Sequence, residues 1–449
     1  MLSSATLLTV DQTGAITGNL SLQPVLTSDR RQLTFDLRPD ALFANGIPIT
    51  LDDVIASLNR AWAVGVAGPG AWRWRHLEAI ARMGERQVAL MLQEPDAAIP
   101  ALLASWRCPI LPKSWLEAVD RTAAPAVPAA SGLFQLQTAT SQRIDYIRNP
   151  GYFQVGRPRL PGLTCLAPTS VLARGTDLVT GDVDLLIDLP LLDVPMIREN
   201  PECSLVGGPS NRLTLLYLNL ANSPLHDRRF RALLAGAVNR PPIVDAAVAG
   251  EGQPATTLIP PESWAGVDVP DIVTDPSETR ESLQALGYLP GLELRLVAPI
   301  GDASLANACV LLQEQLAWAG FALALDLLDD GEMERELREG QWDLMIRTLP
   351  WWNDPHELVW PLLTTRGPDN VGAFHSSRID YLAQLACRAR GEVDRARLYQ
   401  AIQQEVVREV PVIPLYFGNY FDAMSTAWAD YLAYPPESVT AMARATFHP

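Results

Sequence analysis

QWDLMIRTLPWWNDPHELVWPLL, residues 341–363, carries a short apolar strand directly into Pro350, two adjacent tryptophans and Asn353-Asp354-Pro355-His356. A strand that ends in a proline-punctuated loop puts the loop tip at the surface. Bulky aromatics at such a tip either meet a partner or close the top of a core. Upstream the pattern is regular. LELRLVAP (292–299) reads as a strand, and Leu305, Ala308, Cys309, Leu312 and Leu316 then recur at helical spacing up to Gly320. FALALDLL (321–328) alternates as a strand, GEMERELREG (331–340) is a short helix, and WDLMIRTL (342–349) is the next strand. This β-α-β-α-β order predicts an α/β fold with a mostly parallel sheet and right-handed crossovers. In such open sheets ligands gather beyond the carboxyl ends of the strands, where Pro350–His356 falls.

Nearer the start, Leu33, Phe35 and Leu37 alternate as a strand, Asn45-Gly46 turns the chain, and Thr50 with Asp53 opens a helix as a capping box. WRWRH (72–76) leads into an amphipathic stretch with Leu77, Ile80 and Met83, the strand QVALML (87–92) and the helical AAIPALLASW (97–106). The Pro/Ala-rich TAAPAVPAASG (122–132) reads as a low-complexity linker ahead of a strand pair, LFQLQTA and RIDYIRN. LTCLAP (163–168) is another strand, TSVLARGTDLVTG (169–181) is helical, and LTLLYLNL (213–220) precedes an arginine-rich helix with Phe230, Leu233, Leu234 and Val238 on one face. No internal repeat is visible.

Composition excludes several function classes. With 35 Lys+Arg against 51 Asp+Glu, the net charge of -16 repels polyanions, so nucleic acid is not an expected ligand. The one lysine, Lys113, follows no glycine-rich loop, so no Walker-type phosphate cradle exists. No run approaches the roughly 18–20 apolar residues of a membrane helix, and the first residues show no export signal. Cys108, Cys165, Cys203, Cys309 and Cys387 are scattered without CxxC spacing, which indicates neither a zinc site nor a disulfide framework. There is no GxSxG, no HExxH and no Cys/His nucleophile context; pairs such as Asp52-Asp53 and Asp329-Asp330 read as caps or turns, so no enzyme and no cofactor is expected.

Four stretches together resemble the extracytoplasmic solute-binding proteins of peptide and nickel ABC importers, family 5. In LTFDLRPDALFANGIPITLDDVIASLNR (33–60), Phe35, Arg38, Phe43, Gly46, Thr50, Asp53 and Val54 stand where that family has its signature residues. RNPGYF (148–153), the segment from Tyr217 to Ala255, and EVPVIPLYF (409–417) match three further family stretches in the same order. The resemblance implies a two-lobed α/β, periplasmic-binding-protein-like fold with a hinge and an extra subdomain beside lobe one, a solute trapped by hinge closure, and delivery to ABC permease subunits in the membrane. It implies a monomer, and a periplasmic or cell-envelope location. Residues 1–158 would hold the start of lobe one plus the added α+β subdomain, 159–208 lobe one continued, 209–411 lobe two with its parallel sheet, and 412–449 the return to lobe one. Leu33 arrives early for the family, so the N-terminal strand of lobe one is expected to be missing.

The resemblance leaves two ligand classes open. Peptide-binding members place an aspartate four residues before the proline of the Asp-Pro motif to hold the peptide ammonium; here that position is Trp351. An indole face can attract a cation for about 0.5–2 kcal/mol but cannot neutralise it. Arg347, Thr348, Pro350, Asp354, Pro355 and His356 are similar to the nickel branch, in which tryptophan and arginine meet a carboxylate-rich chelate. On that reading Trp351, Trp352, Asn353, Asp354, Arg347, Arg107, Arg73 and Trp74 are ligand-binding candidates, for an oligopeptide or a nickel chelate. TTRGPDNVGAF (364–374) has no histidine where the nickel branch places its direct ligand, so no direct metal site is assigned, and His375 is as well explained as a helix-start residue. Each candidate has a plainer role beside it. Asp354 serves equally as a helix cap, Arg107 as the partner of a structural carboxylate, and WRWRH as a solvated face with two core tryptophans. The alternative function is a cytoplasmic ligand-sensing domain on the same fold, not involved in transport.

Overall fold

The computed structural model describes residues 2–11, 13–120, 127–168, 174–289, 291–433 and 442–448. The chain divides into two compact units: Met1–Leu186 with Glu202–Val206 and Asp422–Pro449, and Ile187–Pro201 with Gly207–Phe421.

Unit 1 opens with a hairpin of β1 (Leu8–Val10) and β2 (Ile16–Gly18). β3 (Val25–Leu26), β4 (Gln32–Asp36), α1 (Leu51–Val66), β5 (Leu77–Arg82) and β6 (Gln87–Leu92) follow. The strands form an antiparallel sheet in the order β3-β4-β6-β5. The stretch with Leu77 and Ile80 is thus strand β5. The capping box at α1 is present: the Thr50 hydroxyl accepts from Asp53 N, and the Asp53 carboxylate accepts from Thr50 N at 2.9 Å. Leu33, Phe35, Val54, Leu58 and Trp74 fill one core, each fully buried leucine contributing about 1.5–3 kcal/mol. Gly65 lets α1 lie on the Trp74 ring, since a Cβ there would stand 2.1 Å from the indole Nε1.

α2 (Ile99–Ala104) and α3 (Lys113–Val119) come next. Asp53 Oδ1 also accepts from Lys113 N at 2.8 Å, and the Lys113 ammonium lies 3.8 Å from Asp52, so the start of α3 is tied to that of α1. Of the stretch expected as a linker, residues 122–126 lie outside the described residues, Val127 is exposed, and the last residues are packed. Ala130 and Ser131 are buried, Ser131 Oγ accepts from Ala5 N at 3.1 Å, and a Cβ on Gly132 would lie 2.4 Å from the Ser3 backbone. Small side chains serve close backbone approach here rather than flexibility. β7 (Phe134–Ala139), β8 (Arg143–Arg148) and β9 (Gly162–Leu166) make a three-stranded antiparallel sheet, followed by α4 (Arg174–Val179) and β10 (Leu185–Leu186). Residues 169–173 of the expected helix lie outside the described residues.

The chain then builds α5 (Val194–Glu199) of unit 2 and the long β11 (Cys203–Leu218), whose first residues belong to unit 1. α6 (Arg228–Gly236), α7 (Arg240–Val248), β12 (Gly252–Pro254) and α8 (Pro276–Ala285) lead to β13 (Leu292–Pro299), α9 (Ala303–Trp318), β14 (Phe321–Leu328), α10 (Asp330–Glu339) and β15 (Leu344–Thr348). After α11 (Pro355–Leu363), α12 (Ser377–Arg388) and α13 (Glu392–Glu409), the long β16 (Val412–Ser425) carries the chain back to unit 1, where β17 (Trp428–Ala429) pairs with β18 (Thr446–Phe447).

The expected β13-α9-β14-α10-β15 run is present, and β13 is parallel to both β14 and β15. The sheet as a whole is mixed rather than mostly parallel: β11 lies antiparallel to β15 and β12 antiparallel to β16, in the order β16-β11-β15-β13-β14. A crossover helix dictates direction only for the strands it joins, and β11 and β16 enter from outside that run. Alternate residues serve opposite faces. Leu216, Leu218, Leu296, Leu344 and Ile346 pack on one side with α6, α7 and α9. Leu215, Tyr217, Val297 and Met345 pack on the other with α11, α12 and α13.

Candidate ligand-binding site

At the carboxyl end of β15 the strand emerges from this core. Met345 is buried, while Arg347 and Thr348 are exposed. The Thr348 hydroxyl meets that of Thr214 on the paired strand at 2.8 Å. On the opposite face burial pushes the Tyr217 hydroxyl well above its ordinary pKa, with the charge of Asp369 adding to that and the charge of Arg347 opposing it.

The loop that follows is pinned at three places. Trp352 is 7% exposed and packs into the core on the α11 side, and its carbonyl accepts from Asn211 Nδ2 at 2.8 Å. Asn353 N donates to Glu357 Oε2 at 3.0 Å. Asp354 is the N-cap of α11, accepting from His356 N at 2.9 Å with Pro355 at the first helical position. The same carboxylate pairs with Arg395 at 2.7 Å, the two side chains being 9% and 11% exposed. Arg395 further donates to Tyr399 Oη at 3.1 Å and Ala386 O at 3.2 Å and stands 5.2 Å from the Trp264 ring centroid. Burial alone would lower the Arg395 pKa; Asp354 and Tyr399 outweigh it and raise it above its ordinary value. Tyr399 Oη lies 3.4 Å from His356 Nδ1, and His356 is buried.

The two tryptophans therefore have different roles. Trp352 closes the core, and Trp351 is half-buried with its Nε1 donating to Asn353 Oδ1 at 3.3 Å. Asp354 takes its capping role and is consumed by Arg395. Arg347, Trp351, Trp352, Asn353 and Asp354 all belong to unit 2 and lie within one strand end and loop. Arg73, Trp74 and Arg107 belong to unit 1. Trp74 is 4% exposed in the unit 1 core. Arg73 lies over Trp72 at 4.3 Å, and the exposed Arg107 lies over Trp106 at 4.7 Å. His375 precedes the N-cap of α12, its Nδ1 2.8 Å from Thr365 Oγ1. Sequence reading missed Asn211 and Arg395, which reach the loop from 141 and 41 residues away, beyond any local pattern.

Comparison with known proteins bears on this geometry. Residues 16–370 match the family described as bacterial extracellular solute-binding proteins, family 5. The glutathione-binding protein GsiB of Escherichia coli (strain K12) is 24% identical over 412 residues, covering 89% of this chain and 80% of that protein. NikA from Brucella suis in complex with Fe(III)-EDTA superposes with a TM-score of 0.88 at 16% identity, over 99% of this chain and 94% of that one. DppA from Helicobacter pylori in complex with the peptide STSA superposes with a TM-score of 0.85 at 18% identity, over 100% and 93%. The α/β fold is that of the two-lobed periplasmic binding proteins, and the family consists of transporter binding proteins. No helix among the described residues is long and apolar enough to cross a membrane. With most of its length matched, this chain belongs to family 5 of the bacterial extracellular solute-binding proteins.

Proposed function

We propose that this chain is the substrate-binding component of an ABC importer, working outside the cytoplasm and delivering a small carboxylate-bearing solute to its membrane permease. Peptide-like acids and carboxylate-rich metal chelates both fall within that class. The observation that carries the reading is the buried Asp354–Arg395 pair. It removes the loop's acid from the surface, so no carboxylate of the loop itself is left to hold a peptide ammonium, and it leaves Arg347 exposed at the strand end. A guanidinium there grips a carboxylate through two parallel hydrogen bonds. GsiB is named for glutathione, and the Brucella suis protein is seen with Fe(III)-EDTA; both compounds carry more than one carboxylate.

The test is calorimetric titration with glutathione, nickel–histidine, Fe(III)-EDTA and di- to pentapeptides, with mass analysis of the solute before and after. At least one carboxylate-bearing solute should bind saturably and return unchanged. Arg347→Ala should weaken it by about 10- to 100-fold, the worth of a hydrogen bond to a charged group. Equal affinity in the variant, or silence across the whole panel, would refute the proposal.

A further inference from the structure

Asn353 lies in the loop that would meet a solute, yet its side-chain oxygen and its backbone N–H are taken up within the protein. An indole N–H is donor only, so the Asn353 atom 3.3 Å from Trp351 Nε1 is fixed as the amide oxygen. The Asn353 backbone is held in turn by Glu357, in the first turn of α11, and α11 is seated by the Asp354–Arg395 pair. Trp351 thus hangs from a rigid chain of contacts with its one polar atom facing its own loop.

We infer that Asn353 is a positioning residue, one that holds the Trp351 indole so that its ring face, and not its N–H, is offered to a solute, and that the solute group received there is a cation. This rests on the reading above that the loop contacts the solute. The physical basis is the indole quadrupole, whose negative face attracts an ammonium or guanidinium, whereas a free N–H would select an acceptor. With the exposed Arg347 at the end of the preceding strand, the loop is chemically matched to a zwitterion: carboxylate to arginine, ammonium to indole face. The ammonium is then recognised without a carboxylate of this loop.

The test uses the full chain with 15N-labelled tryptophan, the Trp351 indole cross-peak being assigned by its loss in Trp351→Phe. Asn353→Ala should shift that cross-peak upfield, and Asn353→Asp, which keeps an oxygen acceptor, should leave it near its original place. Glutathione carries an ammonium and N-acetylglutathione does not. Asn353→Ala should weaken glutathione about 5- to 10-fold, as expected for one modest hydrogen bond, and Asn353→Asp should restore affinity to within about 2-fold. N-acetylglutathione should bind the wild type about 10-fold more weakly and be indifferent to Asn353→Ala. An unmoved cross-peak in Asn353→Ala would overturn the positioning role, and equal affinity for the two glutathione forms would overturn the cation. If no solute binds while the cross-peak responds as expected, the functional reading and the cation fall and the positioning role stands.

Discussion

Replacing Asp354 tests how the loop is built. In Asp354→Ala, Arg395 loses its carboxylate while its side chain stays 11% exposed. Stranding one member of a buried pair costs about 3–5 kcal/mol, and losing a helix cap costs about 1 kcal/mol. Arg395 keeps Tyr399, the Ala386 carbonyl and the Trp264 ring, which places the first figure at its lower end. The expected sum is about 4 kcal/mol. Asp354→Asn retains a good cap and an acceptor for Arg395, losing mainly the charge, so about 2 kcal/mol is expected. Asp354→Asn combined with Arg395→Met removes the stranded cation and should be more stable than the sum of the single variants by at least about 1 kcal/mol. Urea unfolding followed by far-ultraviolet circular dichroism provides the values. A cost below about 1 kcal/mol for Asp354→Ala, or simple additivity in the double variant, would show that the pair does not seat the loop.

Other expectations can be measured alongside. Gly207 has φ of +145°, and a Cβ there would lie 2.0 Å from the Tyr420 carbonyl oxygen; Gly207→Ala should cost more than about 4 kcal/mol by thermal unfolding, and Gly208→Ala, whose Cβ meets nothing within 4 Å, should be mild. Arg231 gathers the carbonyls of Leu225, Glu409 and Val410 at 2.8, 2.5 and 2.9 Å, tying α6 to the end of α13. Arg231→Met should lose about 3 kcal/mol in urea unfolding, and Arg231→Lys should not rescue it, because an ammonium lacks the planar fork. Native thiol labelling should find the exposed Cys165 and miss the buried Cys108, Cys309 and Cys387. Burial pushes the Cys309 thiol up to about 12, so the folded state holds that proton more tightly than the unfolded chain. Its contribution to stability is present below the ordinary thiol pKa of about 8.5 and fades as pH climbs towards 12; stability curves of Cys309→Ser against wild type, at pH 7 and pH 10, read the difference.

The parallel run of unit 2 was legible because each of its elements announces itself locally: α9 repeats its apolar positions at three and four residues, and β14 alternates at two. Phe35 and Thr50 with Asp53 were equally local and stand where they were expected. What escaped was set by distance along the chain. Nothing near β11 or β16 indicates antiparallel pairing, because pairing is decided by what the far strand brings. TAAPAVPAASG has a linker's composition, and only the tertiary neighbours Ala5 and Ser3 turn its last residues into packing. The candidate site followed the same rule. Its loop and its exposed Arg347 were readable from the strand that precedes them, whereas the division of labour between Trp351 and Trp352 depends on Asn211 and Arg395. Asp354 was equally a cap or a ligand contact by sequence; the structure shows the cap, and adds a pairing with an arginine 41 residues on that no local pattern announces.

The solitary lysine has a practical consequence. Every side-chain cation but Lys113 is an arginine or a histidine, so an amine-reactive ester has one side chain to find, apart from the chain's α-amino group. That ammonium is about half exposed and sits where α3 is tethered to the start of α1. A fluorophore attached there would occupy one known address in unit 1 without any engineered cysteine. Paired with a tryptophan as energy donor, it would make the unmodified sequence its own molecular ruler.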